Sequence, residues 1–233
     1  MALYNKYRPK EFNQVIGQGH ITSILKTQVK ARAFHHSYLF CGCSGTGKTT
    51  MARLLASCLN CYNLNGVGEP CGECQSCKAI QAGRSWDTIE LDGARFRGID
   101  DIKSLVYKAS FSPIGNKKVY IIDECHQLTE PAWNSLLKLL EEPPDHLVTI
   151  LCTTEFTKIP ETVSSRCELF IFKKLKAEDI KIKIERIAET EGIELDPKHA
   201  EFIAQSSGGN MRKGENLLEQ CLVIKKQNEW NKW

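Results

Sequence analysis

Gly42-Cys43-Ser44-Gly45-Thr46-Gly47-Lys48-Thr49 meets every fixed position of the pattern G-x-x-x-x-G-K-[ST]. An apolar run, Tyr38-Leu39-Phe40-Cys41, precedes it, and Met51, Leu54, Leu55, Cys58 and Leu59 follow at helical spacing. Strand, glycine-rich turn and helix in that order give the pattern its physical meaning as a P-loop. The glycines let the backbone curl so that successive N–H groups point at phosphate oxygens, and the helix N-terminus adds the positive end of its dipole. In this reading Lys48 reaches the β- and γ-phosphates, the Thr49 hydroxyl holds Mg²⁺, and Thr50 completes the first turn. A turn without a ligand is the alternative, and Lys48-Thr49 with the right flanks weighs against it.

Downstream, Val119-Tyr120-Ile121-Ile122 predicts a buried parallel strand that delivers Asp123 and Glu124 at its C-terminal end, where α/β sheets bind ligands. Asp123 is suited to hold Mg²⁺ through water, and Glu124 to polarise an attacking water. Another apolar strand over 147–152 runs into Thr153-Thr154-Glu155. A hydroxyl there could orient water or the γ-phosphate, although threonine is also an ordinary strand residue. Ser164-Ser165-Arg166-Cys167 precedes a strand over 168–172, which leaves Arg166 at a helix-to-strand corner, as a surface ion pair or as a functional cation.

The 233 residues suffice for one good core and a small second domain. A hydrophobic share of 42% with 25% charged residues is that of a soluble globular chain, so disorder is not expected. The net charge of +3 is too small to identify nucleic acid as a partner. The sequence has no apolar run of about twenty residues and no apolar core in the leading MALYNKYRPK, which points to a cytoplasmic protein with no membrane partner.

Eleven cysteines in such a compartment are expected as thiols or metal ligands rather than disulfides. Four of them, Cys61, Cys71, Cys74 and Cys77, form C-x9-C-x2-C-x2-C in a glycine-containing excursion over 60–78 that has no apolar period. Zinc takes four tetrahedral thiolates, and a C-x2-C step grips one ion with two of them. With no open position the ion would be structural, bracing a knuckle too small to bury a core; an unmetallated cluster is the alternative. The other seven cysteines read as small buried apolar residues.

Residues 4–19 read as an extended arm, in which Tyr7-Arg8-Pro9 could simply pack, followed by a helix over 20–30. Residues 88–92 predict a strand and 99–110 a helix; between them, Arg95-Phe96-Arg97 could meet a nucleic-acid backbone or form a solvated turn. A helix over 131–142 stops at Pro143-Pro144. From 173 onward the pattern is helical throughout, marked by Ile180, Ile184 and Ile187, then Phe202 and Ile203, then Leu217, Leu218, Cys221 and Leu222. The expected fold is α/β: a nucleotide-binding domain over 1–172 with a five-stranded parallel sheet and the knuckle inserted, then a three-helix domain over 173–233. Arg212, in the first turn of the last helix, opposes the helix dipole, which suggests an anionic partner or a tolerated exposed charge.

Assembled, these residues resemble the gamma/tau family of AAA+ ATPase subunits from the bacterial replicative clamp loader of DNA polymerase III. The resemblance covers nearly the whole chain. It rests on Tyr7-Arg8-Pro9, Val15-Ile16-Gly17-Gln18, the P-loop behind His36-Ser37-Tyr38-Leu39-Phe40, and the four-cysteine knuckle directly after the P-loop helix. It continues through Arg97-Gly98-Ile99-Asp100-Asp101-Ile102, Asp123-Glu124-Cys125-His126, Leu139-Leu140-Glu141-Glu142-Pro143-Pro144, Thr153-Thr154-Glu155 and Ser165-Arg166-Cys167. The knuckle in that place and Ser-Arg-Cys are far more specific than the P-loop.

The resemblance implies that Tyr7, Arg8, Pro9, Val15 and Ile16 line an adenine pocket, that Thr154 is sensor 1 and Arg212 sensor 2, and that Arg166 is an arginine finger acting in trans on a neighbouring subunit's ATP. Arg97 would face DNA inside a spiral of subunits. The implied activity is ATP hydrolysis within a DNA polymerase III-type assembly, the implied partners are other clamp-loader subunits, a sliding clamp and primer-template DNA, and the cofactors are Mg²⁺ and structural Zn²⁺. Lys213-Gly214 after Arg212 and Gly19 depart from the family pattern, and the sequence ends at Trp233 after the third helix without the family's helical collar, as expected of a fragment or of a naturally short relative. An alternative of another class is a nucleotide-dependent interaction module that hydrolyses little alone; a zinc-centred nucleic-acid binder with a degenerate ATPase fits less well, because Lys48, Thr49, Asp123 and Glu124 are all present.

Overall fold

The computed structural model describes residues 2–226, the last four of them by backbone alone; the expected third helical segment therefore extends past the described residues at 227–233. The chain opens with α1 (Leu3–Lys6), a 3-10 turn at Phe12–Gln14 and α2 (Gly19–Ala31). Strand β1 (Ser37–Gly42) enters the P-loop, and α3 (Lys48–Asn60) leaves it. There follow α4 (Gln75–Gln81), β2 (Thr88–Asp92), α5 (Ile99–Ala109), β3 (Lys118–Asp123), α6 (Glu130–Glu141), β4 (Leu147–Thr153), α7 (Glu161–Ser164) and β5 (Glu168–Phe172). Helices α8 (Ala177–Thr190), α9 (Pro197–Ser206) and α10 (Met211–Lys226) complete it.

The five strands pair in the order β2-β3-β4-β1-β5, every neighbour parallel. All of β4 is buried, as is β3 up to Ile122, which is why their sequences read as unbroken apolar runs; the edge strands β2 and β5 leave residues exposed along their length. Successive strand side chains point to opposite faces, so β1 sends Tyr38 and Phe40 one way and Leu39 the other, and β3 divides Val119 and Ile121 from Tyr120 and Ile122. The first face packs on α2 and α3 through Leu25, Met51 and Leu55, and the second on α5 and α6 through Ile102, Leu105, Leu136 and Leu140.

A third apolar cluster unites α8, α9 and α10 through Ile180, Ile184, Ile203, Met211 and Leu218. Gly214 lets α10 approach α8, because a Cβ there would lie 3.1 Å from Ile180 Cγ2 and 3.2 Å from Ile184 Cδ1. Leu3 and Tyr7 of the N-terminal arm also pack on this cluster, so the arm bridges the sheet and the terminal helices. Helix α9 buries Ala200, Ile203 and Ala204 but leaves Phe202 64% exposed, against the inward placement that its sequence neighbour suggested. In the cysteine excursion the expected irregular loop ends in a real helix, α4, capped by Cys74, whose Sγ accepts the Cys77 N–H.

Outside that group Cys58, Cys125 and Cys152 are buried as expected, Cys41, Cys167 and Cys221 are half-buried, and Cys43 is exposed in the P-loop, where its position is fixed by the turn rather than by a core. Burial pushes the Cys58, Cys125 and Cys152 thiols upward and that of Cys167 to about 12. No helix among the described residues is long and apolar enough to cross a membrane.

One buried polar side chain joins the arm to the sheet. Gln18 is fully buried; its Nε2 donates to Lys173 O at 2.7 Å and Thr46 O at 3.3 Å, and its Oε1 accepts the Lys173 N–H at 3.2 Å. Gln18→Leu strands these backbone groups, and each unsatisfied buried group costs about 1–3 kcal/mol, so denaturant unfolding should show a loss of at least that size; an unchanged midpoint would contradict the staple. The sheet order is tested by a pair of isoleucines. Ile121→Ala in the core should cost about 2–5 kcal/mol, whereas Ile171→Ala, at a position 61% exposed, should stay within about 0.5 kcal/mol.

Candidate functional site

The P-loop closes on itself through positive φ angles that glycine tolerates, 71° at Gly45 and 102° at Gly47. A Cβ on Gly45 would lie 1.9 Å from Asn210 Oδ1, so the loop also needs glycine in order to accept the turn before α10. At that junction the Met211 N–H donates to Gly45 O at 3.0 Å. Lys48 is buried, and its ammonium donates to the carbonyls of Gly42 at 2.8 Å and Cys43 at 3.1 Å. Those bonds hold the cation over the turn at the mouth of the cradle.

Strand β3 brings its carboxylates to the same place. Thr49 Oγ1 donates to Asp123 Oδ2 at 2.6 Å, and Asp123 Oδ1 accepts the Glu124 N–H at 2.9 Å. Glu124 has φ 47°, in the left-handed region that few non-glycine residues occupy. Its Oε2 accepts from Thr154 Oγ1 at 3.0 Å. His126 backs this pair with a side chain only 3% exposed: Nδ1 lies 3.1 Å from Thr153 Oγ1 and 3.5 Å from Glu124 Oε2, while Nε2 lies 3.1 Å from Glu155 Oε1. The Lys158 ammonium, 2.9 Å from Glu155, holds that carboxyl below its ordinary value.

The pocket in front of the loop is lined by Ser44 to Thr50, Asp123 and Glu124 at its P-loop end and by Arg8, Pro9, Val15, Ile16, Leu175 and Met211 further along. Tyr4, Lys183, Arg212 and Glu215 complete the wall. Burial first, and then the nearby charge of Arg53, lowers the pKa of the Arg8 guanidinium. Arg53 itself is held by Glu90 through contacts of 2.6 and 2.9 Å, and Lys183 is paired with Glu215 at 2.8 Å. Arg212 places its guanidinium carbon 5.4 Å from the centre of the Tyr4 ring.

The structure thus gathers Lys48, Thr49, Asp123, Glu124, Thr154, Arg8, Pro9, Val15, Ile16 and Arg212 around one cleft. Gly42 and Cys43 contribute carbonyls to Lys48 rather than surface to the cleft. Tyr7 faces elsewhere: its hydroxyl donates to Glu191 Oε1 at 2.7 Å, and Tyr4, one helical turn earlier, takes the place at the pocket wall. Arg166 stands outside the cleft on the corner between α7 and β5, where it pairs with Glu141 at 2.8 Å and donates to Thr162 O. Sequence reading gave no role to Tyr4, Leu175, Lys183, His126 or Glu215. Only the last two carried a local sign, His126 three residues after Asp123 and Glu215 three after Arg212, one turn along the same helix.

Cys61, Cys71, Cys74 and Cys77 bring all four sulfurs within 4.8 Å of one another. Backbone donors surround them: the N–H groups of Cys71, Cys74 and Cys77 point at the sulfurs of Cys61, Cys71 and Cys74 at 3.3–3.4 Å. Those of Cys74 and Glu73 hold the Cys71 thiol down to about 6, and burial pushes those of Cys61 and Cys77 upward. Four converging thiols with bonds that favour thiolate fit a closed, four-coordinate zinc site.

The family model described as DNA polymerase III, delta subunit, matches residues 17–176. The chain is 43% identical over 222 residues to DNA polymerase III subunit tau of Bacillus subtilis, covering 95% of this chain and 39% of that relative. It is 40% identical over 226 residues to subunit gamma/tau of Mycobacterium tuberculosis (96% of this chain, 39% of that relative) and 39% identical over 224 residues to subunit tau of Escherichia coli (95% and 34%). The chain therefore spans between 34% and 39% of the length of these three relatives. Among solved structures, the RuvB Holliday junction branch migration motor of Thermotoga maritima matches with a TM-score of 0.70 at 21% identity, over 96% of this chain and 67% of that one. That likeness shows the fold alone, an AAA+ sheet with helices behind it. By the family model and by its gamma/tau and tau relatives, the chain belongs to the DNA polymerase III subunit family.

Proposed function

We propose that this chain is the ATPase module of a sliding-clamp loader, coupling ATP binding and hydrolysis at subunit boundaries to the placement of a clamp on primer-template DNA in the cytoplasm. The observation that carries the reading is the division between the cleft at the P-loop and a half-buried arginine, Arg166, that stands outside it. An arginine so placed serves a neighbour's cleft.

In the proposed site the P-loop amides and Lys48 take the phosphates, while Arg8, Pro9, Val15 and Ile16, with Tyr4 beside them, wall the base. Mg²⁺ would be held by Thr49 and Asp123, where it would neutralise charge on the phosphates. Glu124, kept in place by Thr154 and His126, orients the attacking water. Arg212 ties the state of the nucleotide to the three terminal helices, which act as a lid over 173–226. Zn²⁺ on Cys61, Cys71, Cys74 and Cys77 is structural. ATP shifts the assembly only so far as it binds the closed arrangement more tightly than the open one. Contacts to DNA are expected mainly with phosphates, and hence salt-sensitive and tolerant of sequence.

A second reading, a nucleotide-dependent interaction module with little hydrolysis alone, is favoured by the same Arg166, which within one chain is held by Glu141. Steady-state ATP hydrolysis across a wide protein concentration range, with and without primed DNA, separates the two. The first reading expects specific activity to rise with concentration. Lys48→Ala should abolish it, Glu124→Gln should bind ATP without turnover, and Arg166→Ala should lower the rate by a factor on the order of 10³ to 10⁵. Low activity, flat with concentration and indifferent to Arg166→Ala, would favour the second.

A further inference from the structure

The cysteine knuckle is tied to the N-terminal arm, which in turn walls the pocket. Glu69, an acid in a polar loop, is only 1% exposed. Its carboxylate turns inward: Oε2 accepts the Phe12 N–H at 2.7 Å, and Oε1 accepts the Asn13 N–H at 3.1 Å and meets Lys26 Nζ at 2.6 Å. Lys26 also donates to Asn13 Oδ1. Burying a carboxylate is costly unless it is bonded and paired, and charge-assisted bonds of this kind are the strong ones. Loop and arm are therefore fixed on each other.

Both ends of this link lead to something chemical. On one side, Glu69 lies between Cys61 and Cys71, and the Cys71 N–H donates to Cys61 Sγ at 3.3 Å, closing the loop around it. On the other, Phe12 is 1% exposed in the sheet core, and Val15 and Ile16, which follow within four residues, line the pocket.

We propose that Glu69 is a positioning residue that couples metal occupancy of the four-cysteine knuckle to nucleotide affinity, an inference that rests on reading the cleft as an ATP site and the cysteines as a zinc site. A metal held by Cys61 and Cys71 fixes the two ends of the loop that carries Glu69. Without it the carboxylate is no longer held against the Phe12 and Asn13 amides, and the Val15-Ile16 wall loosens. The nucleotide must then order that wall on binding, which weakens it. Linkage makes the effect reciprocal: nucleotide raises metal affinity by the same factor, expected at between about 5- and 150-fold.

The test measures affinity for a non-hydrolysable Mg²⁺–ATP analogue in zinc-loaded and chelator-stripped protein, and zinc release to a chromogenic chelator with and without that analogue. In the wild type, stripping should weaken nucleotide binding at least about fivefold, and the analogue should slow zinc release. Glu69→Ala should bind nucleotide about equally with and without zinc while still holding the metal, and Glu69→Gln, which keeps one acceptor, should fall between. Nucleotide affinity indifferent to zinc in the wild type, or full coupling retained in Glu69→Gln, would overturn the coupling while leaving the ATP site standing. Zinc-loaded wild type that binds no nucleotide would overturn the functional reading and this inference together, and cysteines that hold no zinc would overturn this inference while leaving the ATP site standing.

Discussion

The curl of the P-loop is the constraint on which the other parts depend, because three distant stretches reach it through hydrogen bonds to its backbone or first helical turn. Gln18 comes from the arm to Thr46 O, Met211 from the start of α10 to Gly45 O, and Asp123 from β3 to the Thr49 hydroxyl. Each contact requires the loop in one conformation, and the positive φ of Gly45 together with its closeness to Asn210 leaves no room for a side chain. A rigid cradle of this kind is what a phosphate site needs, since its amides must converge before the ligand arrives. It is also a natural reporter, because any change at the loop is felt at once by the arm, the sheet and the terminal helices.

Charge around the cleft follows the same logic. Arg8, Arg53 and Arg212 lie close enough for Arg53 and Arg212 both to lower the pKa of Arg8, while Glu90 and Glu215 oppose that effect. Arg212 also sits in the first turn of α10, where the helix dipole disfavours a cation. A polyanion bound in the same cleft would attract each of these cations and so offset their mutual repulsion and the opposing dipole. The proposed function thus accounts for an arrangement that the protein alone would have reason to avoid.

The sheet and the placing of polar residues at its strand ends were legible because their patterns are local. Four of the five strands begin as near-continuous apolar runs or end in recognisable polar residues, and Gly42 to Thr49, Asp123 and Glu124 are marked by motifs a few residues long. What could not be read depends on packing between distant segments. Tyr4 rather than Tyr7 faces the cleft because α1 lies against α10, and Phe202 is exposed because α9 meets its neighbours through Ala200, Ile203 and Ala204. The excursion over 60–78 has no period of its own, yet Glu69 is buried because another segment supplies its donors. Gly214 stood out as a departure from the family pattern, and its reason, close approach of α8, is visible only in three dimensions.

The central claim is that arm, P-loop and terminal helices form one nucleotide site. Amide hydrogen exchange in the presence and absence of a non-hydrolysable ATP analogue tests it most directly. The account predicts that nucleotide slows exchange together in the P-loop, in the arm around Val15 to Gln18 and at the start of α10, including the Met211 amide. Protection confined to the P-loop and the first turn of α3, with arm and α10 unchanged, would contradict it.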